Sequence, residues 1–535
     1  MALRNRRLAE LTIFLALTLL HTWPLASDPA HLSRLDNNDT AFNTWVIAWV
    51  QHQLPHDPVH LFEAPIFYPE HDTLAYSEHM IVPAAMGLPL NWAGASPVLV
   101  YNLLAVAGFL LSGLSMSWVV RRWTGCFAAG VIAGALFAFN AHVLTRFAHL
   151  QALHVEFFPI ALYALDRFLS EPHPRWAALF GAAFVLQSLC SNYAMVMLAL
   201  AVVIAAAVRP ELWRFERRLW SLAALVTASV AVILTPVLLP YYHLHQTQGL
   251  TRTIEDVRLY SASWQDYLAT AGRLHYTLWS HRFAADRTAL FPGVTALLLS
   301  GVALGTGSAW RDRRARSALA FGIAGVCLSF GANLPGYEWL QEHVTILQGM
   351  RAAARWGYLA LVSVAILAGF GTAAVANRVR GRSWWPALVV AMVGAVTIEA
   401  MRTPLALVRF NGIASVHSRL RSDDVHAVVM YPFYSGEAFH MNAPYLLDQT
   451  RHWKPMVNGY SSFAPESFFE RAQRLKRFPD SAVIAELRSI GVTHVMIARR
   501  PFEELYGRET LARLRRDSEL QFLIDQEGWL VYRIR

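Results

Sequence analysis

Apolar residues in this 535-residue chain arrive in blocks close to twenty residues long, divided by short basic or polar stretches. Twenty helical residues rise about 30 Å, the thickness of a bilayer's hydrocarbon. Residues 11–20 are all apolar or threonine, and 179–208 contain no Asp, Glu, Lys or Arg. The pattern predicts spanning helices over roughly 9–26, 97–120, 125–140, 150–169, 175–190, 193–208, 220–239, 290–306, 317–332, 355–375 and 384–401, eleven in all. The first resembles a signal peptide as well, but with many spans behind it an uncleaved anchor serves equally.

Charge gives an independent check. With the N-terminus in the cytoplasm, inner loops hold Arg4, Arg6 and Arg7, then Arg121 and Arg122, Arg175, Arg209, Arg214, Arg217 and Arg218, the four arginines of 311–316, and Arg378, Arg380 and Arg382. Basic residues accumulate on the cytoplasmic side of spans, so the bias supports this orientation. The outer side then receives 27–96, 240–289, 333–354 and 402–535. The split of 179–208 into two spans rests on the polar Gln187, Ser188, Ser191 and Asn192.

Composition changes this picture little. The chain is 55% hydrophobic and 16% charged, where soluble domains carry nearer a quarter of their residues as charges. Its net charge of +9 is dispersed between spans rather than laid along one face, so no nucleic acid partner is expected, and contact with anionic membrane lipids is. Cys126, Cys190 and Cys327 fall in apolar segments without metal or disulfide spacing. Charge returns beyond residue 400. There the strand-like 426–430, helix-like 481–489, strand-like 491–498 and a hairpin over 520–534 predict a small α/β domain. The expected organisation is a polytopic α-helical transmembrane domain, 1–401, with a first outer loop at 27–96, followed by a periplasmic α/β domain, 402–535.

Candidate chemistry gathers outside the spans. The first outer loop holds Asp36, Asp39 and Glu78, with His79 next to the last. A carboxylate beside the membrane can take a proton from an attacking hydroxyl, and several together can hold a hard divalent cation such as Mg2+ or Mn2+. Short Asp/Asn clusters also make turns and helix caps, and Asp39 is a candidate cap for a helix beginning near Ala41. Residues 42–50 read as an amphipathic interfacial helix with Trp45 and Trp49 on one face. Arg351 and Arg355, four apart, would share a helical face and meet phosphate oxygens, against the charge bias for an outer position. His142, Arg146, His149, Gln151, His154 and Glu156 crowd one span junction, which is either a wet loop or the lining of a polar cavity.

These motifs together resemble the GT-C class of polytopic envelope glycosyltransferases, especially its bacterial members. The resemblance rests on Asp36-Asn-Asn-Asp39 with Phe42-Asn-Thr-Trp45, Ile66-Phe-Tyr-Pro69, Thr73-Leu-Ala-Tyr-Ser-Glu-His79, Phe139-Asn140 with His149, Ser191-Asn-Tyr193, Tyr260-Ser-Ala-Ser263, Phe291-Pro-Gly293, Arg351 to Arg355, and Val457-Asn-Gly-Tyr460. It implies an enzyme of the bacterial inner membrane that moves a sugar from a polyprenyl-phosphate donor to a glycan, lipid or protein acceptor at the outer face. Asp36 or Asp39 would be the base and Glu78 a second acidic contact or metal ligand. Arg351 and Arg355 would hold the donor phosphate, and His79, His149, Tyr193 and Tyr260 would line the substrate. Direct displacement would invert the sugar carbon. Asp-x-x-Asp departs from the commoner Asp-x-Asp or Glu-x-Asp of the class, which leaves open which aspartate is the base and weakens the case for a metal. A flippase or transporter for an envelope lipid or polysaccharide, or a non-catalytic envelope scaffold, are the alternatives.

Overall fold

The structure is a computed structural model and describes residues 2–209, 216–249, 251–283 and 288–535. Arg214 and the side chain of Arg4, both expected at span ends, lie outside the described residues. Two compact units emerge, and the chain passes between them more than once. The first comprises Met1–Pro29, Asn102–Leu238 and Leu250–Ala406; the second comprises Ala30–Tyr101, Leu239–Gly249 and Leu407–Arg535. By contacts, then, the first long loop groups with the C-terminal segment, whereas the sequence pattern had set it with the spans.

Each of the eleven expected spans coincides with a helix among the described residues. Four helices are long and apolar enough to cross a membrane: Pro97–Thr124, Phe127–Thr145, Arg217–Gln248 and Ala353–Arg378. Others are short. Val294–Gly305 has 12 residues, about 18 Å of rise, so helix length alone does not carry the count of eleven. The doubtful split of 179–208 is present: Ser191 is extended (φ −160°, ψ 127°) and its hydroxyl caps Ala194 N, ending Pro174–Cys190 and starting Asn192–Ala207.

In the first unit, helix Gly357–Arg378 is the central element. It is buried from Gly357 to Ser363 and from Ala365 to Ala373, and packs against Val294–Gly305, Arg313–Ser329 and Phe127–Ala138. Gly371 permits one of these approaches, since any Cβ there would run into the backbone oxygen of Leu299. The opposite case is Arg217–Gln248, where Leu225, Val232 and Ile233 stand 62%, 74% and 51% exposed. Each such side chain in water forgoes roughly 1.5–3 kcal/mol of burial, a cost that surrounding lipid removes. Buried charges are paired. Asp166 Oδ1 meets Arg209 at 2.9 Å and Arg313 at 3.4 Å, and Glu10 meets Arg121 at 3.2 Å.

The second unit holds a two-stranded ribbon, β1 (Leu32–Ser33) with β2 (Val408–Arg409), and a four-stranded sheet of β3 (Ala427–Tyr431), β4 (Val492–Ala498), β5 (Leu520–Gln526) and β6 (Trp529–Ile534). The sheet order is β3-β4-β6-β5, with β3 parallel to β4 and the other pairs antiparallel. Glu527 and Gly528, both at positive φ, make the tight turn of the predicted hairpin. The helix expected at the membrane interface runs instead over Asn38–Gln53 and is buried continuously from Thr40 to Gln51. Its tryptophans face protein: Trp45 Nε1 donates to Gln449 Oε1 at 3.0 Å and Trp49 Nε1 to the Leu61 carbonyl at 2.9 Å. Helix Ala443–Gln449 packs on it, a long-range partner that its own periodicity does not reveal.

Candidate active site

The predicted site residues divide between the units. Asp36, Asp39, Glu78 and His79 belong to the second; His149, Tyr193, Tyr260, Arg351 and Arg355 belong to the first.

In the second unit the two first-loop aspartates part company. Asp36 is tied at the surface to Arg34, at 3.0 and 3.3 Å, an exposed pair of the kind worth under about 1 kcal/mol. Asp39 sits in the first turn of helix Asn38–Gln53. It does not cap that helix; Asn37 does, accepting from Asp39 N at 2.9 Å. The carboxylate is thus left to the side chains around it, and Tyr460 donates its hydroxyl to Asp39 Oδ1 at 2.6 Å.

Tyr460 reaches that position because of the residues before it. Asn458 behaves as a strand neighbour of β3, accepting from Met430 N at 2.7 Å and donating to Met430 O at 2.9 Å. Its carbonyl accepts from Phe67 N, and Gly459 leaves room for the Phe67 ring, into which a Cβ would collide. Val457-Asn-Gly-Tyr460 is therefore a device that presents a phenol to Asp39. Tyr460 was legible as part of a motif; its role was not.

Glu78 and His79 are both buried. His79 Nδ1 lies 3.3 Å from Ile81 N and accepts from it, while its ring stands edge to Phe62 and Tyr241. Among the described residues no group of three or more His, Cys, Asp or Glu is placed to hold a metal ion.

In the first unit each arginine lies over its own tyrosine. Arg351 Cζ is 4.5 Å from the Tyr260 ring centroid, and Arg355 Cζ is 4.3 Å from that of Tyr193. The expected shared helical face is absent, because 351–352 are not helical and Ala353–Trp356 is a 3-10 turn. The Ala354 N–H donates to the Tyr260 carbonyl at 2.9 Å, which draws this segment onto the Tyr260 loop. Tyr193 is placed by the Ser191 cap just before it. Neither Arg351 nor Arg355 has a carboxylate within ion-pair distance among the described residues. Both are half-buried.

A third cation adjoins them, and sequence reasoning missed it. Arg252 is fixed by its backbone, with N–H to Gln348 O at 2.9 Å and carbonyl to Gln341 Nε2 at 2.8 Å. Burial first, then the charge of Arg351, push its pKa down to about 10, so it stays protonated at neutral pH. Like Arg351, it is a basic residue on a predicted outer segment, and that was its signal.

The polar crowd at 142–156 is mostly buried rather than wet. His154 Nδ1 lies 3.0 Å from Glu156 Oε1 and its Nε2 lies 3.1 Å from Leu104 O. His149 precedes the short helix Leu150–Leu153 and remains half-buried. The Phe291-Pro-Gly293 motif is architectural: Gly293 (φ +98°) clears Glu399, whose Oε1 accepts from Thr295 N at 3.1 Å and Thr295 Oγ1 at 2.7 Å at the start of Val294–Gly305.

No family model and no curated relative matches the chain. Solved structures do. It is similar to the arabinofuranosyltransferase AftD from Mycobacteria, with 15% identity and a TM-score of 0.63 over 98% of this chain and 39% of that one. It is also similar to the archaeal oligosaccharyltransferase AglB from Archaeoglobus fulgidus, determined with an inhibitory peptide and a dolichol-phosphate, with 13% identity and a TM-score of 0.51 over 93% of this chain and 69% of that one. The chain thus spans well under half the length of the mycobacterial protein. At these identities the likeness shows a shared fold, in agreement with the GT-C resemblance carried by the sequence motifs.

Proposed function

We propose that the chain is a membrane glycosyltransferase that moves a sugar from a polyprenyl-phosphate donor to an envelope acceptor at the outer face of a bacterial inner membrane. The observation that carries this reading is the pair Arg351 and Arg355, half-buried on tyrosine faces and without a carboxylate partner among the described residues. A guanidinium over an aromatic face gains roughly 0.5–2 kcal/mol, yet its in-plane N–H groups still seek acceptors. A phosphate supplies them, and Arg252 adds charge to the same region. The fold supports the assignment, since lipid-linked sugar transfer is the chemistry of the class it resembles.

The roles follow from charge flow. As the bond from the anomeric carbon to the phosphate oxygen breaks, negative charge grows on the phosphate, where fixed guanidinium groups stabilise it without reorganising. Displacement by an acceptor hydroxyl inverts the anomeric carbon, and the hydroxyl's proton goes to a carboxylate, the role proposed for Asp39. Asp39 rather than Asp36 is assigned this role, because Asp36 is tied to Arg34 at the surface whereas Asp39 stands in the first turn of the buried helix Asn38–Gln53 and accepts from the Tyr460 phenol. His79, His149, Tyr193 and Tyr260 position substrate, and the charge bias sets the N-terminus in the cytoplasm.

The test is transfer by purified protein in detergent, given a labelled polyprenyl-phosphate hexose and glycan, lipid and peptide acceptors. Product with the native chain and none with Asp39→Asn is expected. A well-folded Asp39→Asn protein with full activity would refute the base assignment. Donor movement across a bilayer without product would favour the transporter.

A further inference from the structure

The aromatic side chains beside Asp39 form a continuous strip that no role above requires. Tyr460, which bonds Asp39, stands edge-on to Phe42 at 5.6 Å and lies 5.3 Å from Phe439. Phe439 is 5.5 Å from Phe468 and 5.6 Å from Phe469. Phe42 and Phe468 are buried and Tyr460 and Phe439 half-buried, but Phe469 is 39% exposed and Met441, in the same turn as Phe439, is 41% exposed. Core packing would have covered these side chains, for roughly 1.5–3 kcal/mol each. Connected apolar side chains left open at a surface mark a contact site.

Polar atoms on residues adjoining Asp39 and Tyr460, and carboxylates at the open end, point to what makes that contact. Thr40 Oγ1 and Ser461 Oγ, one residue from Asp39 and from Tyr460, are buried and have no hydrogen-bond partner among the described residues. Unpaired buried hydroxyls are rare and signal an absent water or ligand. At the open end, Glu437 shares a turn with Phe439, and Glu466 and Glu470 flank Phe469 on helix Glu466–Leu475; all three carboxylates are exposed. The neighbouring Arg474 is neutralised by Glu486 through contacts of 2.8–3.0 Å.

We infer that this strip binds a neutral oligosaccharide, which, resting on the glycosyltransferase reading, identifies the acceptor as a glycan whose end meets Asp39. A pyranose or furanose ring has C–H faces that lie against aromatic rings and a rim of hydroxyls that donate to carboxylates. The strip offers both. A membrane surface is the natural competitor for exposed Phe and Met, but such surfaces are bordered by Lys and Arg that meet anionic lipid. Here the exposed border carries three carboxylates beside His440, while Arg471 on the same helix is half-buried with its guanidinium turned to the Tyr68 carbonyl, and such a border disfavours anionic glycans as well. At the inner end the sugar hydroxyl meets the Asp39 carboxylate while the Tyr460 phenol holds its Oδ1.

The experiment is calorimetric titration of the purified full chain in neutral detergent with linear gluco-, manno- and galactohexaose, without any donor. At least one neutral hexasaccharide should bind, Phe469→Ala should weaken it ten-fold or more, and Phe469→Trp should retain it. Phe469 is exposed, and an unchanged thermal midpoint certifies the variant's fold. The inference is overturned if none of these sugars binds, if Phe469→Ala binds them as well as the native chain, or if it loses adhesion to phosphatidylglycerol vesicles instead. Because no donor is present, sugar binding without any transfer would leave the site standing and remove the transferase. Transfer insensitive to Phe469→Ala would do the reverse.

Discussion

Asp448 offers a perturbation whose sign and size follow from its surroundings. It lies on helix Ala443–Gln449 with Oδ2 3.6 Å from His417 Nε2, its side chain 19% exposed and that of His417 fully covered. Burial pushes the carboxyl from 3.8 up to about 7, and pushes His417 and His452 down to about 4 and about 3. A folded-state pKa above the unfolded value means that the native chain holds the proton more tightly. Asp448 therefore costs nothing in acid, costs progressively more as pH rises from about 4 to about 7, and costs a constant amount above. At about 1.4 kcal/mol per unit the ceiling is ~4 kcal/mol, and screening by the exposed part brings the expected effect to about 2–3 kcal/mol. The histidines act oppositely, since depressed values remove stability as pH falls below about 6.5. Their contribution cancels when Asp448→Asn is compared with the native chain at one pH. The assay is the thermal midpoint by tryptophan fluorescence at about pH 5 and about pH 8, where a kcal/mol corresponds to roughly 2–4 °C. The variant should gain several degrees at the higher pH and clearly less at the lower. An equal gain at both, or a loss at the higher pH, would refute the reasoning.

Four further outcomes are expected. Tyr460→Phe removes the 2.6 Å bond to Asp39, and because hydrogen bonds to charged groups are worth about 1.5–3 kcal/mol, kcat/KM should fall roughly ten- to hundred-fold with little change in donor affinity. Asp36→Asn should leave transfer within about two-fold, since it loosens only a surface pair; a collapse comparable to that of Asp39→Asn would reverse the assignment. Gly371→Leu forces a side chain against the Leu299 backbone and should abolish stable expression, whereas Gly394→Ala, where nothing lies within 4 Å, should be silent in a thermal scan. Chelator should leave transfer unaltered, and restoration of lost activity by Mg2+ or Mn2+ would show a metal site that the carboxylates do not form by themselves.

The sequence was most readable where a pattern is local. Eleven apolar blocks became helices, because composition and period decide that much, and the hairpin of β5 and β6 was legible from its strands and turn. Two kinds of feature were hidden. Helix Asn38–Gln53 looked amphipathic because its buried Asn43, Thr44 and Gln51 are polar; they are satisfied by groups such as the Asp39, Thr40 and Ala84 carbonyls, and polarity that is bonded internally mimics polarity that faces water. Arg351 and Arg355 looked like one helical face because spacing suggests it, while a single bond from Ala354 N to a loop some ninety residues earlier undoes the helix there. The roles of Tyr460 and Arg252 were hidden for a related reason. Each acts through partners distant in sequence, and only the folded chain brings a phenol 421 residues away onto Asp39.

The stacked arginines are expected to hold an anionic lipid head, and lipid occupancy reads this directly. Native mass spectrometry of the detergent-solubilised chain with a polyprenyl phosphate should show one lipid bound to the native protein, with occupancy falling at least ten-fold in the double variant Arg351→Gln, Arg355→Gln and unaffected by Arg378→Gln. Equal occupancy in the native protein and the double variant would contradict it.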